Sequence, residues 1–130
     1  MGLKEAKPVG TPAEKFTEVE EAELDPRRRT EYRSICARVN YLAMDRFDIA
    51  YGAKELCRRM QKPDEGDWRA LKRMGRYLVG RPRMTQKFLW QEEEGSELEV
   101  QGDTDHAGCR KSRKSTTGGV ALWGRHVNRN

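Results

Sequence analysis

The sequence predicts an α+β protein in which a small helical bundle is followed by antiparallel strands. Two observations support this class. Up to about residue 80 the apolar residues recur at the spacing of amphipathic helices. Beyond Pro82 they come in short runs separated by polar turns, which is typical of strands.

Three helices account for the first part of the chain. The spacing predicts one over residues 30–43 and a second over residues 46–61, which stops before Pro63. A third follows the N-cap Asp64 and ends at Gly80 and Pro82. The side chains expected to share the core are Tyr32, Ile35, Cys36, Val39, Leu42, Phe47, Ile49, Leu56, Trp68, Leu71, Met74 and Leu78.

Three later segments are predicted to be strands of an antiparallel meander. They are Gln86–Gln91, Leu98–Gly102 and Gly118–Trp123. Three strands with so few apolar residues rarely form a stable unit alone. No helical pattern follows that would cover the sheet, so we expect it to be the opening part of a truncated domain.

The charge is unevenly distributed. Of all residues, 35% are hydrophobic and 36% are charged, so the core must be small relative to the surface. Residues 1–26 carry a net charge of −4 within a total of +5, which leaves +9 for the rest. Residues 1–29 are predicted to be an acidic, proline-containing leader or linker. A basic body is typical of proteins that bind nucleic acid, although a solvated charged face is the alternative.

The cysteines and the hydropathy indicate an intracellular protein of the cytoplasm or nucleus. Cys36, Cys57 and Cys109 are odd in number and widely spaced, which argues against a disulfide framework. No apolar run approaches the roughly 20 residues of a membrane span, and the first residues lack a signal-peptide core. His106 and Cys109 form only half of a zinc motif, so zinc is disfavoured.

Asp103 is the most informative single position for chemistry. It is placed at the end of the predicted strand Leu98–Gly102, where a carboxylate is both exposed and rigidly held. A divalent-metal site needs such a carboxylate. The alternative is an aspartate that caps a turn.

Basic and hydroxyl side chains follow Asp103 in the chain. Arg110, Lys111, Arg113 and Lys114 precede Ser115 and Thr116, a combination suited to phosphate contacts. The alternative is a solvated loop. The outer faces of the second and third helices are also basic, with Arg58, Arg59, Lys72, Arg73 and Arg76.

Four blocks of the chain resemble the copia-type family of long-terminal-repeat retrotransposon Pol polyproteins. Ala6–Pro12 resembles the family's AKPVSTP stretch, and Glu31–Ala50 resembles its YRS, YLA and RPDI blocks. Trp68–Leu78 resembles its HW-ALKR-LRYL helix, and Asp103–Gly119 resembles its SDADWAG and RKSTSG element. The blocks occur in the family's order and cover nearly the whole chain. Phe47 replaces the usual proline and His106 replaces a tryptophan.

The resemblance implies the end of a reverse transcriptase followed by the start of its RNase H domain. Residues 30–84 would be a helical thumb-like or connection-like region, and residues 85–130 the first part of a truncated RNase H-like domain. In that family the residue matching Asp103 is a catalytic ligand of Mg²⁺, and the helices are similar to a region that grips the template–primer duplex. The expected partners are an RNA–DNA hybrid and the remainder of the polyprotein.

Whether this chain is itself an enzyme stays open at this point. The family's paired polymerase aspartates and its other RNase H carboxylates have no match here, so we expect an ancestral role in RNA-templated DNA synthesis and hybrid cleavage without activity in isolation. Two alternatives remain: a stand-alone, non-catalytic nucleic-acid-binding module and a decayed relic without function.

Overall fold

A computed structural model describes residues 2–3, 5–14, 21–91, 97–105 and 115–129, without the side chains of residues 105, 116, 128 and 129. The chain divides into two units, Met1–Met84 and Thr85–Asn130. The described part of the first is helical and that of the second contains a three-stranded antiparallel sheet, which confirms the α+β class.

The first helix, α1, spans Pro26–Leu42 and begins four residues before the predicted start. Asp25 explains the difference, because its carboxylate accepts hydrogen bonds from the backbone N–H groups of Arg27 and Arg28 at 2.9 and 3.0 Å. Pro26 suits the first helical position, where no intrahelical N–H bond is needed. Tyr32, Cys36 and Val39 are buried, as their spacing predicted, whereas Leu42, the last residue of the helix, is exposed and the prediction for it is wrong.

The second predicted helix is broken. A 3₁₀ turn, Phe47–Ile49, leads into a shorter α-helix, α2, which spans Ala50–Arg58. Arg46 has an extended backbone with φ −125° and ψ 76°, and its side chain turns onto Asp48 instead of continuing a helical face. Phe47, predicted to be a core residue, is consequently 43% exposed.

The third helix, α3, spans Glu65–Gly80, and its predicted N-cap is confirmed. Asp64 accepts the N–H of Asp67 at 2.9 Å, and Asp67 accepts the N–H of Asp64 at 3.0 Å, which completes a capping box. Burial raises the pKa of Asp67 above its ordinary value. Tyr77 is buried on the inner face, whereas the predicted Leu78 is only partly buried beside the core.

A buried charged network joins the 3₁₀ turn to the end of α3. Arg46 donates two hydrogen bonds of 2.8 Å to Asp48 and one of 3.1 Å to the carbonyl of Arg81. The hydroxyl of Tyr77 donates to the same carboxylate at 2.8 Å. The hydrogen bonds from Arg46 hold the pKa of Asp48 below its usual range.

Residues 21–25 are attached more firmly than the expected linker. Leu24 is buried, and its N–H donates to the carbonyl of Pro63 at 3.1 Å. The N–H of Glu65 donates to the carbonyl of Ala22 at 3.1 Å. These bonds fix this part of the leader beside the start of α3.

The strands of the second unit are β1 (Leu98–Asp105), β2 (Thr116–Trp123) and β3 (His126–Arg129). They pair in the order β1-β2-β3, all antiparallel, with a register shift between β2 and β3 at Ala121 and Leu122. Gly124, with φ +56°, makes the turn between β2 and β3.

The predicted strand Gln86–Gln91 is wrong, and β3 takes its place in the sheet. Residues 86–91 are held beside the β2–β3 turn by side-chain hydrogen bonds and not by the backbone hydrogen bonds that pair a strand with its neighbour. The amide of Gln91 accepts the N–H of Arg125 at 2.6 Å and donates to the carbonyl of Trp123 at 3.2 Å. Phe88, Leu89 and Trp90 are therefore exposed.

Within the part of the second unit that the structure describes, no side chain is buried. Leu98, Val100 and Trp123 lie on one face of the sheet and are 60%, 71% and 52% exposed.

Both described cysteines, Cys36 and Cys57, are free, and burial raises the pKa of Cys36 to about 12. No helix in the described ranges is long and apolar enough to cross a membrane.

The buried network predicts the effect of Asp48→Asn. The variant should lose roughly 3 kcal/mol of unfolding free energy at pH 7, because the guanidinium of Arg46, whose side chain is 8% exposed, loses its counter-ion. Because the pKa of Asp48 is lower in the folded state than its ordinary value of 3.8, the ionised carboxylate stabilises the fold above that value. This stabilisation is lost as the pH falls through the lowered pKa. The difference from wild type should therefore shrink at pH 3. Urea unfolding at both pH values tests this, with the exposed Asp45→Asn as control; a constant difference would contradict it.

The two units should differ in local stability. Amide hydrogen exchange should be slow for buried positions of α1 and α3 and faster throughout β1–β3, because described strand residues bury no side chain that opening would expose. Hydrogen-exchange mass spectrometry measures both units in one sample. Equal protection would show that the sheet has a core of its own.

Candidate nucleic-acid interface

Asp103 lies inside β1, two residues before its end, and pairs with Gly118 of β2. The alternative of a turn-capping aspartate is therefore wrong, since the strand continues to Asp105. The carboxylate is exposed, and it shares a sheet face with Gln101 and Val120.

Three of the strand positions around Asp103 are glycines and carry no side chain. Gly102 and Gly119 face each other on one side of the hairpin, and Gly118 lies opposite Asp103 on the other. A Cβ added at Gly102 or Gly118 would meet no atom within 4 Å. Glycine in a strand is typical of a site where another backbone or a ligand approaches closely.

The described residues do not complete a metal site. Within them, no group of three or more histidine, cysteine, aspartate or glutamate side chains could hold a metal ion. Asp103 supplies one carboxylate, whereas Mg²⁺ is usually bound by one or two carboxylates together with substrate phosphates and water. The donor type fits Mg²⁺, but further ligands would have to come from other parts of the protein or from the substrate.

The predicted phosphate-contacting segment is only partly visible. Arg110, Lys111, Arg113 and Lys114 lie outside the described residues. Ser115 is exposed, and Thr116 opens β2 opposite Asp105, the last residue of β1. The pairing thus brings together the two ends of the connection that contains the basic residues, next to Asp103.

Two of the predicted basic side chains, Arg58 at the end of α2 and Arg59 after it, form ion pairs within the first unit. Arg58 forms an ion pair with Glu55 at 3.0 Å, and Arg59 lies 3.8 Å from Asp67. These contacts favour the structural alternative over a nucleic-acid contact for both arginines.

The leader contacts three arginines of α3. Arg69 forms a bidentate pair with Glu21. Arg73 contacts Glu14 at 2.7 Å and the hydroxyl of Thr11 at 2.8 Å. Arg76 donates to the carbonyl of Lys7 at 2.7 Å.

Sequence reasoning overlooked Arg69 and these contacts. A usable signal was present, because positions 69, 73 and 76 share one helix face and the leader carries the opposite charge. The contacts are long-range in sequence, so no local periodicity indicates them.

Comparison with known proteins gives three relatives from Arabidopsis thaliana. The retrovirus-related Pol polyproteins from transposons RE2 and RE1 are each 36% identical over 125 residues, which is 93% of this chain but 8% of each polyprotein. The uncharacterized mitochondrial protein AtMg00810 is 34% identical over 131 residues, 97% of this chain. The chain spans about half of that protein, 52% of its length. No family model matches the chain, and no solved structure does.

Proposed function

We propose that the chain, which belongs to the copia-type family of retrotransposon Pol polyproteins, comprises the thumb-like or connection-like end of the reverse transcriptase and the first part of its RNase H domain. Within the polyprotein this stretch would contact the RNA–DNA hybrid. The helical unit would contribute to the grip on the duplex, and the β1–β2 hairpin would present Asp103 and the basic segment to the phosphate backbone.

The placement of Asp103 is the observation that carries this proposal. An exposed carboxylate on a strand, flanked by glycines on the neighbouring positions, allows close approach of a bulky substrate. Basic residues and hydroxyls follow in the connection whose ends meet beside it. Together they combine a metal-ligand donor with phosphate-binding groups in one short segment.

Magnesium would be shared with the rest of the polyprotein. When bound, Mg²⁺ activates water and stabilises the leaving oxygen in phosphodiester hydrolysis. Asp103 would hold one side of the ion, and Arg110, Lys111, Arg113 and Lys114 with Ser115 and Thr116 would position the nucleic acid.

A second candidate function is a stand-alone nucleic-acid-binding module without catalysis. The mitochondrial relative favours it, because this stretch occurs there in a protein only about twice as long as the chain. Both candidates predict binding, and only the first needs Asp103 for chemistry within a larger protein.

The first prediction from this proposal is that the isolated chain does not cleave RNA–DNA hybrid. One carboxylate ligand among the described residues is too few to position two metal ions. A fluorescently labelled hybrid incubated with Mg²⁺ or Mn²⁺ should stay intact, with an active RNase H as positive control. Metal-dependent cleavage that disappears in Asp103→Asn would contradict this and reveal a complete site.

The second prediction concerns the salt dependence of binding. Replacing Arg110, Lys111, Arg113 and Lys114 with alanine should flatten the log–log slope of affinity against salt, by about 0.9 for each phosphate that the variant no longer neutralises. Fluorescence anisotropy with a labelled hybrid at several salt concentrations measures the slope. Asp103→Asn should not weaken binding, since it removes a negative charge.

A matched variant controls for net charge. Replacing Lys54, Arg83, Lys87 and Arg125 with alanine also removes four positive charges, but at positions outside the candidate surface. It should change the slope less than the first variant does. Equal slopes for the two variants would show that the basic connection has no special role.

A further inference from the structure

We propose that the acidic leader and nucleic acid compete for one surface on α3, so that a polyanion that binds there must displace the Glu21 carboxylate from Arg69 and release residues 5–14 from Arg73 and Arg76. The surface, which we call the arginine face, consists of Arg69, Arg73 and Arg76. This inference rests on the proposed function and adds a form of regulation to it.

The geometry shows that the leader occupies the positions that phosphates would take. Bidentate carboxylate contacts and bidentate phosphate contacts use the same donors of a guanidinium group. Glu21 takes both terminal nitrogens of Arg69, and Glu14 and Thr11 together take both terminal nitrogens of Arg73. The carbonyl of Lys7 takes the Nε of Arg76. A phosphate backbone cannot contact these donors while the leader is in place.

The ionic contacts are of a kind that a polyanion can displace. Each ion pair has one exposed member: the side chains of Arg69 and Glu14 are 65% and 68% exposed, whereas their partners Glu21 and Arg73 are 23% and 24% exposed. Exposed ion pairs contribute little to stability and are screened by salt. A nucleic acid offers many phosphates in a row, and counterion release favours the exchange.

The leader has one firm attachment and one weaker contact region. Residues 22–24 are held by backbone hydrogen bonds to Pro63 and Glu65, and Leu24 is buried. Residues 5–14 contact α2 and α3 through the arginines and through close packing at two glycines. A Cβ at Gly80 would lie 2.7 Å from the Cβ of Pro8, and one at Gly52 would lie 3.4 Å from the Cβ of Ala13. Release of residues 5–14 would leave the leader tethered and able to return.

Gly80 provides a test that leaves every charge unchanged. Gly80→Ala should displace Pro8, because the added methyl group overlaps a rigid proline ring, while alanine is a better helix former than glycine. The variant should bind RNA–DNA hybrid at low salt about threefold more tightly or better, with a steeper salt slope by up to about 0.9 for each arginine freed. Circular dichroism checks that α3 is intact.

A charge variant tests the same inference independently. Glu14→Gln with Glu21→Gln removes the carboxylates on Arg69 and Arg73. Its control, Asp45→Asn with Glu99→Gln, changes the net charge equally at two exposed positions outside the leader and α3. The first pair should tighten binding more than the control does.

Hydroxyl-radical footprinting and hydrogen exchange of the wild-type chain together decide whether the leader moves. The side chain of Val9, which is partly buried against the core, should become more reactive when RNA–DNA hybrid is added, while the N–H of Leu24 stays protected from exchange. If wild type binds and its affinity depends on the basic connection, but the reactivity of Val9 does not change and Gly80→Ala binds like wild type, the competition is wrong and the proposed function stands. If no variant binds hybrid, both are wrong. Binding by Gly80→Ala alone supports the competition.

Discussion

The helical unit depends on keeping one charged side chain, Arg46, out of water. A buried guanidinium is stable only when it is paired and its donors are satisfied. Asp48 supplies the charge and the carbonyl of Arg81 supplies a further acceptor. The hydroxyl of Tyr77 donates a further hydrogen bond to the carboxylate of Asp48. Because these groups come from the 3₁₀ turn, from α3 and from the residue after it, the network fixes where α3 ends relative to the turn.

Much of the family resemblance lies in residues that hold this bundle together. The hydroxyl of Tyr32 donates to the carbonyl of Leu56 at 2.9 Å, and Arg33 donates to the carbonyls of Met60 and Gln61. The family resemblance in α1 therefore reflects how α1 binds the end of α2. In the block from Asp103 to Gly119, by contrast, the described side chains of Asp103 and Ser115 are exposed.

The sequence predicted elements whose signals are local and failed where distant groups decide. Asp64 and Asp67 form a capping box within four residues, and the start of α3 was predicted correctly. The break before α2 was not, because it depends on the hydrogen bonds of Arg46 to Asp48 and to the distant carbonyl of Arg81. The strand β3 was missed since His126–Arg129 contains a single apolar residue, and its pairing depends on the turn at Gly124. Asp103 was predicted at the end of a strand Leu98–Gly102, whereas β1 continues to Asp105, because its pairing with β2 is a long-range contact that local patterns do not indicate.

The order of the strands has a consequence for how the second unit behaves in solution. Both β1 and β3 are edge strands, so the outer side of β1 carries backbone N–H and C=O groups that have no strand partner among the described residues. Such an edge is a template for adding another strand, in a longer chain or from a neighbouring molecule. Glu99 and Asp103 lie along this edge, and repulsion between their charges disfavours two copies of β1 pairing side by side. The carboxylate that suggests a cation site thus also helps to protect the strand against self-association at neutral pH.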